Sequence, residues 1–219
     1  MKALSILLAG SMFLEPVETS AEGKTIGAYK CTEYTKEKGS DAKTIYQGVK
    51  NYDSNYNGEY LDAVSKKITS ANFYDKSKTI KYWSSHGLLS GNLFGDSTYN
   101  VDFDIKDTFS WAGGKLEFVF LAACNQLNKD GGPLKTYANA MLGDKAVRVV
   151  CGYHSKAPAG GDNLVAKKFM EYAKTGESVK SSWIKANEYV AGLNNNQKDA
   201  LAANYAVLTH SGDVQYSRF

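Results

Sequence analysis

With 219 residues, 43% of them hydrophobic and 22% charged, the chain has ordinary globular composition, enough for one well-buried core and short for two. The formal net charge is +3, and basic and acidic residues are mixed along the chain with no basic run or stripe. That pattern argues against nucleic acid as a partner.

The first 21 residues, "MKALSILLAGSMFLEPVETSA", read as a secretory signal peptide. Lys2 supplies a positive start, Ala3 to Leu14 is apolar but too short to span a bilayer, and Thr19-Ser20-Ala21 offers small residues for cleavage. The alternative is a buried N-terminal strand or helix. On the first reading the mature chain starts near Glu22, residues 22–219 form one α/β domain, and the protein is secreted, periplasmic or held at a bacterial cell surface. No later stretch is apolar enough to cross a membrane.

In chain order, "TIGAYKCTEY" has the β-branched and aromatic content of a first strand, and "AKTIYQGVKNY" reads as a weaker second one. Within "SNYNGEYLDAVSKKITSANFY", Tyr60, Leu61, Val64, Ile68 and Ala71 recur at helical spacing. "KTIKYWSSHG" is a short strand ended by a glycine turn, and residues 88–114 are loop with a hairpin around "FGDSTYNVDFD". "KLEFVFLAAC" is the strongest strand signal, a nearly continuous apolar run of the kind buried on both faces. Pro133 opens a helix bearing Leu134, Tyr137, Ala138, Met141 and Leu142, and "AVRVVCGYH" is another buried strand. Asp162 is placed to cap a helix carrying Val165, Phe169, Tyr172 and Ala173. Val179, Trp183, Ala186 and Val190 mark a further amphipathic helix, in which Trp183 is read as core. A short helix around Gln197 to Ala203 precedes a last strand, "YAVLTH".

Strands alternating with helices imply right-handed βαβ units and a mainly parallel sheet covered on both faces. Ligands bind such sheets outside the carboxyl ends of the strands. Those ends carry Ser84-Ser85-His86-Gly87, Cys124-Asn125 and Gly152-Tyr153-His154-Ser155. A thiol and an imidazole on one rim can exchange a proton, and the thiolate is the attacking species in acyl transfer. Turns after the strands leave the N–H groups of Gly87 and Cys124 as donors for an oxyanion. This chemistry calls for no metal or organic cofactor. Each residue also has a plainer reading, since a cysteine ending an apolar strand is a small core residue and a histidine before glycine a turn residue.

"IKYWSSHG" and "FVFLAAC" resemble the paired signature of the caspase-like (clan CD) cysteine peptidases, the group of caspases, legumains, gingipains and clostripain. There one apolar strand ends in His-Gly and the next in Ala-Cys. The order matches, and Cys124 lies 38 residues after His86. The resemblance covers roughly residues 25–209 and implies a three-layer α/β/α sandwich in an uncharacterised bacterial branch. It implies Cys124 as nucleophile, His86 as general base and acid, Gly87 in the oxyanion hole, and a peptide or protein substrate. Ser85, Asn125 and His154 stand where substrate would pass. Asp102 and Asp104 offer an acidic pocket for a basic P1 residue, or are solvated loop carboxylates. The sequence departs from the caspases in carrying Ala122 two residues before the cysteine. His210 has no evident partner.

Rival signatures are missing: there is no G-x-S-x-G elbow, no phosphate-binding G-x-x-x-x-G-K-[ST] and no zinc-like Cys/His spacing. Three cysteines make an odd count, which a Cys31–Cys151 disulfide with Cys124 free would satisfy. Two alternatives to a peptidase stay open: a non-catalytic binding or effector module on the same scaffold, and a thiol amidase or transpeptidase.

Overall fold

Along most of the chain strands alternate with helices, as the computed structural model shows for residues 23–31, 40–62, 68–94, 102–103, 111, 113–130, 132–142, 147–158, 160–193 and 197–217. The leader-like segment, Val64 and Asp104 lie outside these residues. The elements are β1 (Thr25–Lys30), α1 (Asp41–Tyr52), β2 (Asn57–Asp62), α2 (Ser70–Tyr74), β3 (Ile80–Ser84), β4 (Leu93–Phe94), β5 (Asp102–Phe103), β6 (Phe118–Ala122) and α3 (Gly132–Leu142). They continue with β7 (Val149–Tyr153), α4 (Asp162–Lys174), α5 (Val179–Leu193), α6 (Gln197–Ala200), a 3-10 turn over Leu201–Asn204, β8 (Tyr205–Thr209) and β9 (Val214–Tyr216).

One sheet runs in the order β2-β1-β3-β6-β7-β8-β9. Its first five strands are mutually parallel, and β8 and β9 add an antiparallel edge. Side chains alternate across the central strands and so divide the core in two. Ile80 and Tyr82, Phe118 and Phe120, and Cys151 and Tyr153 meet α1, α4 and α5 on what we call the first face. Trp83, Val119, Leu121 and Val150 meet Phe73 of α2 and Tyr137 and Met141 of α3 on the second. All five residues of β6 are buried, each large apolar side chain contributing roughly 1.5–3 kcal/mol by leaving water. Trp183 packs among Phe120, Tyr153 and Phe169, as its helical register predicts.

Residues 42–52, expected as a strand, form α1 instead. Ser40 caps it by accepting from the Lys43 N–H, and Ala42, Ile45 and Val49 line one buried side. The expected helix from Tyr60 to Ala71 is also corrected, because Asn57–Asp62 pairs with β1 as an edge strand, and among the described residues of this stretch the helix is Ser70–Tyr74. Gly58 permits that pairing: a Cβ there would collide with the Ile26 carbonyl. Asp162 is the first residue of α4, whose cap position is Gly161. A final strand, β9, follows a turn at Gly212, which has positive φ. The three cysteines are free, and Cys31 and Cys151 belong to opposite faces of the sheet, so the disulfide allowed by the count is not formed.

Candidate active site

The C-terminal ends of β3 and β6 create the site. The two strands are parallel neighbours with Ser84 paired to Ala122, and the ladder extends one step further through the Ser85 N–H, which donates to the Ala122 carbonyl at 3.3 Å. Two residues beyond those partners stand His86 and Cys124. Alternation that sends Ile80, Tyr82, Phe118, Phe120 and Ala122 to the first face gives His86 and Cys124 the same parity. The strand ends stay in contact, since a Cβ on Gly87 would collide with the Cys124 carbonyl and come within 2.7 Å of Gln126 Nε2. Neighbouring strands lie about 4.8 Å apart, which sets the two strand ends side by side on one rim.

His86 is half-buried, with the Phe94 ring edge-on at 6.3 Å, and burial lowers its pKa below the usual imidazole value. The bridge between Gly87 and Leu93 is closed by two bonds, Phe94 N–H to His86 O at 3.3 Å and Leu88 N–H to Asn92 O at 3.0 Å. This is the pairing in which the bridged residue's own N–H and C=O take no part. The Gly87 N–H therefore lies outside that ladder.

Cys124 sits in a turn just after β6, not within the strand, and is partly exposed. Asn125 has the positive φ, 62°, that carries the chain through this turn. Its N–H donates to the Ser155 carbonyl at 2.8 Å, and the Ala157 N–H points at Cys124 Sγ from 3.3 Å. The segment after β7 is thus laid across the cysteine turn. The Asn204 side chain pins it further, donating to the Lys156 carbonyl at 2.9 Å.

Beneath the rim on the first face lies a set of buried polar groups that sequence reasoning missed. Asp41, at the first turn of α1, accepts from Tyr82 Oη at 3.0 Å and from the Ser84 side chain, and burial raises its pKa. Tyr153 Oη donates to Asn187 Oδ1 at 3.0 Å. Burial, then the charges of Asp162, Asp41, Cys151 and Cys124, push that hydroxyl up, so these groups share one electrostatic neighbourhood. An Asp at the start of each of two helices is the one signal the sequence carried for this cluster.

The other expected residues divide clearly. Ser85 accepts from Trp83 Nε1 at 3.1 Å and donates to the His86 carbonyl at 2.9 Å, a brace on the second face. The His154 ring packs edge-on against Tyr216 at 5.3 Å, on the side away from Cys124, with its pKa lowered by burial and then by Lys129. Asp102 belongs to β5, paired with Phe94 beside the His86 segment, and Asp104 lies outside the described residues. Gln126, two residues beyond Cys124, is fully buried. Among the described residues no group of three or more His, Cys, Asp or Glu is disposed to hold a metal ion. No described helix is long and apolar enough to cross a membrane.

Comparison with known proteins agrees with this architecture. The family model described as a domain of unknown function (DUF6345) matches residues 39–218. No curated protein matches the sequence. Among solved structures, the Arg-specific cysteine proteinase gingipain R (RgpB) is similar with a TM-score of 0.52 at 13% identity. The match covers 84% of this chain but only 45% of that one, so the chain spans less than half the length of its structural neighbour. At that identity the likeness shows the fold alone: an α/β sandwich of the caspase-like kind, which a cysteine proteinase also uses.

Proposed function

We propose that this chain, which belongs to the DUF6345 family of domains of unknown function, is a thiol peptidase working through Cys124 and His86. The observation that carries the reading is the register of β3 and β6, which gives a half-buried imidazole and a partly exposed thiol the same parity on adjacent parallel strands. Burial favours neutral imidazole, the form that accepts a proton.

In the reaction, His86 takes the Cys124 proton and the sulfur attacks the scissile carbonyl carbon, forming a C–S bond. The carbonyl oxygen becomes an oxyanion held by the N–H groups of Gly87 and Cys124. As it collapses, the C–N bond breaks and the amine leaves with the proton carried by His86. A water molecule, deprotonated by His86, then hydrolyses the thioester and returns the thiol. Asn125 remains in this reading as a substrate contact. The Ser85 hydroxyl and the His154 ring, turned to the second face, drop out of it.

For the substrate we infer a basic side chain next to the scissile bond, by analogy with the Arg-specific cysteine proteinase of similar fold. Asp41, buried and already bonded by Tyr82 and Ser84, supports the strand ends from below and does not meet the substrate.

A peptide library with varied P1 residues, run against wild type, Cys124→Ala and His86→Ala, tests the proposal. Expected are cleavage after Arg or Lys, none by Cys124→Ala, and a loss of about 10²–10⁴-fold in His86→Ala. Cleavage that survives Cys124→Ala would overturn it, and no cleavage by wild type would favour a binding module on the same scaffold.

A further inference from the structure

We propose that Gln126 is the positioning residue for Cys124, holding the peptide plane between Cys124 and Asn125 so that the thiol stays on the first face. The proposal rests on the peptidase reading above. Gln126 is fully buried, an expensive place for a carboxamide unless both of its ends are bonded. Both are. Tyr137 Oη donates to Gln126 Oε1 at 2.8 Å, and Gln126 Nε2 donates to the Cys124 carbonyl at 3.1 Å.

The two bonds are ordered. The Cys124 carbonyl can only accept, so the amide nitrogen of Gln126 must face it. That choice leaves the amide oxygen toward Tyr137, whose hydroxyl donates to it. Tyr137 is itself fixed by stacking on Trp111, ring centroids 5.9 Å apart. A rigid chain of contacts therefore runs from α3 to the carbonyl of the cysteine.

The same peptide plane is gripped at its other end, where the Asn125 N–H donates to the Ser155 carbonyl. With the carbonyl and the N–H of one peptide both held, ψ of Cys124 and φ of Asn125 cannot rotate without losing a bond on each side. Those angles set where the thiol stands relative to His86, and also the approach of the Cys124 carbonyl to Gly87. Gln126 touches neither substrate nor reacting atoms in this scheme and acts through the turn.

The experiment compares Gln126→Met, which keeps the volume and removes both bonds, with Tyr137→Phe, which removes only the outer one. Each variant is first shown to keep its cooperative melting transition and is assayed well below it. Small misplacements of a nucleophile cost on the order of 10²-fold, so Gln126→Met should lower kcat about 10–100-fold with KM little changed. Tyr137→Phe should lower it about 3–10-fold, in the same pattern. A Gln126→Met enzyme within about twofold of wild-type kcat overturns the proposal. If Gln126→Met fails to fold, Tyr137→Phe decides, and unchanged kcat there overturns it.

Should wild type prove not to be a peptidase, the positioning claim is decided separately by Cys124 alkylation with iodoacetamide. An alkylation rate in Gln126→Met altered about fivefold or more supports it, and an unaltered rate overturns it.

Discussion

The two faces of the sheet use buried polar groups for opposite ends. On the first face they are hydroxyls and carboxyls from Asp41, Tyr82, Ser84 and Tyr153, bonded side chain to side chain beneath His86 and Cys124. On the second face they bond to backbone carbonyls: Gln126 to Cys124, Ser85 to His86, and Lys81 to Phe73 and Asp75 at the end of α2. In the proposed peptidase one face presents the chemistry and the other holds the main chain that presents it. The division follows from strand geometry, because alternate residues of one strand serve opposite faces while their shared backbone is fixed by either.

The largest effect that would test this contrast is at Lys81. It is completely buried in β3, and burial brings its pKa down to about 7. The unfolded chain keeps that proton up to the ordinary lysine value, 10.5, so between these limits unfolding takes up a proton and stability rises with pH. Urea denaturation should show wild type gaining about 2 kcal/mol from pH 7 to 9, and Lys81→Met losing that gain. An equal slope in both proteins would remove Lys81 from the holding face.

A smaller effect is expected from Asp41 on the other face. Its pKa is raised by burial, so above the ordinary carboxyl value the unfolded chain ionises first and stability falls as pH rises. Asp41→Asn keeps an acceptor for Tyr82 and removes this loss, so it should be at least as stable as wild type at pH 7, by about 1 kcal/mol at most. A variant destabilised at pH 7 would mean that the Asp41 carboxylate is better satisfied in the fold than its burial implies.

The finest test is the pH profile of kcat/KM. With the His86 pKa lowered by burial, the acid limb should fall below 6.5, the ordinary imidazole value. A limb above 6.5 would mean that a different group gives up or receives the proton.

The central strands were legible because β3 and β6 are apolar runs that end in polar residues, and these ends carry His86 and Cys124. A mainly parallel sheet puts both ends on one rim, while the pairing and register of the two strands come from the structure. The edges were less legible. Thr44, Ile45, Tyr46 and Val49 favour strands by propensity, yet Ala42, Ile45 and Val49 fit the groove over β1 as α1. Tyr60 and Leu61 kept helical spacing by accident, and backbone pairing with β1 outweighed it. Gln126 was unreadable for another reason: its burial depends on Tyr137, which only the packing of α3 brings over the turn. Asp41 was hidden in the same way, since its meaning comes from Tyr82 and Ser84 on a strand some forty residues later.

The register of β3 against β6 also has a kinetic side. Ile80 and Phe118 pair although 38 residues separate them, whereas β8 and β9 meet across a short turn. Closing the longer loop costs chain entropy before any contact repays it, so parallel pairing of this kind is slow beside a hairpin. His86 and Cys124 come from opposite sides of that long loop. During refolding, reactivity that depends on both should appear only with the β3–β6 pairing, after local hairpin structure has formed.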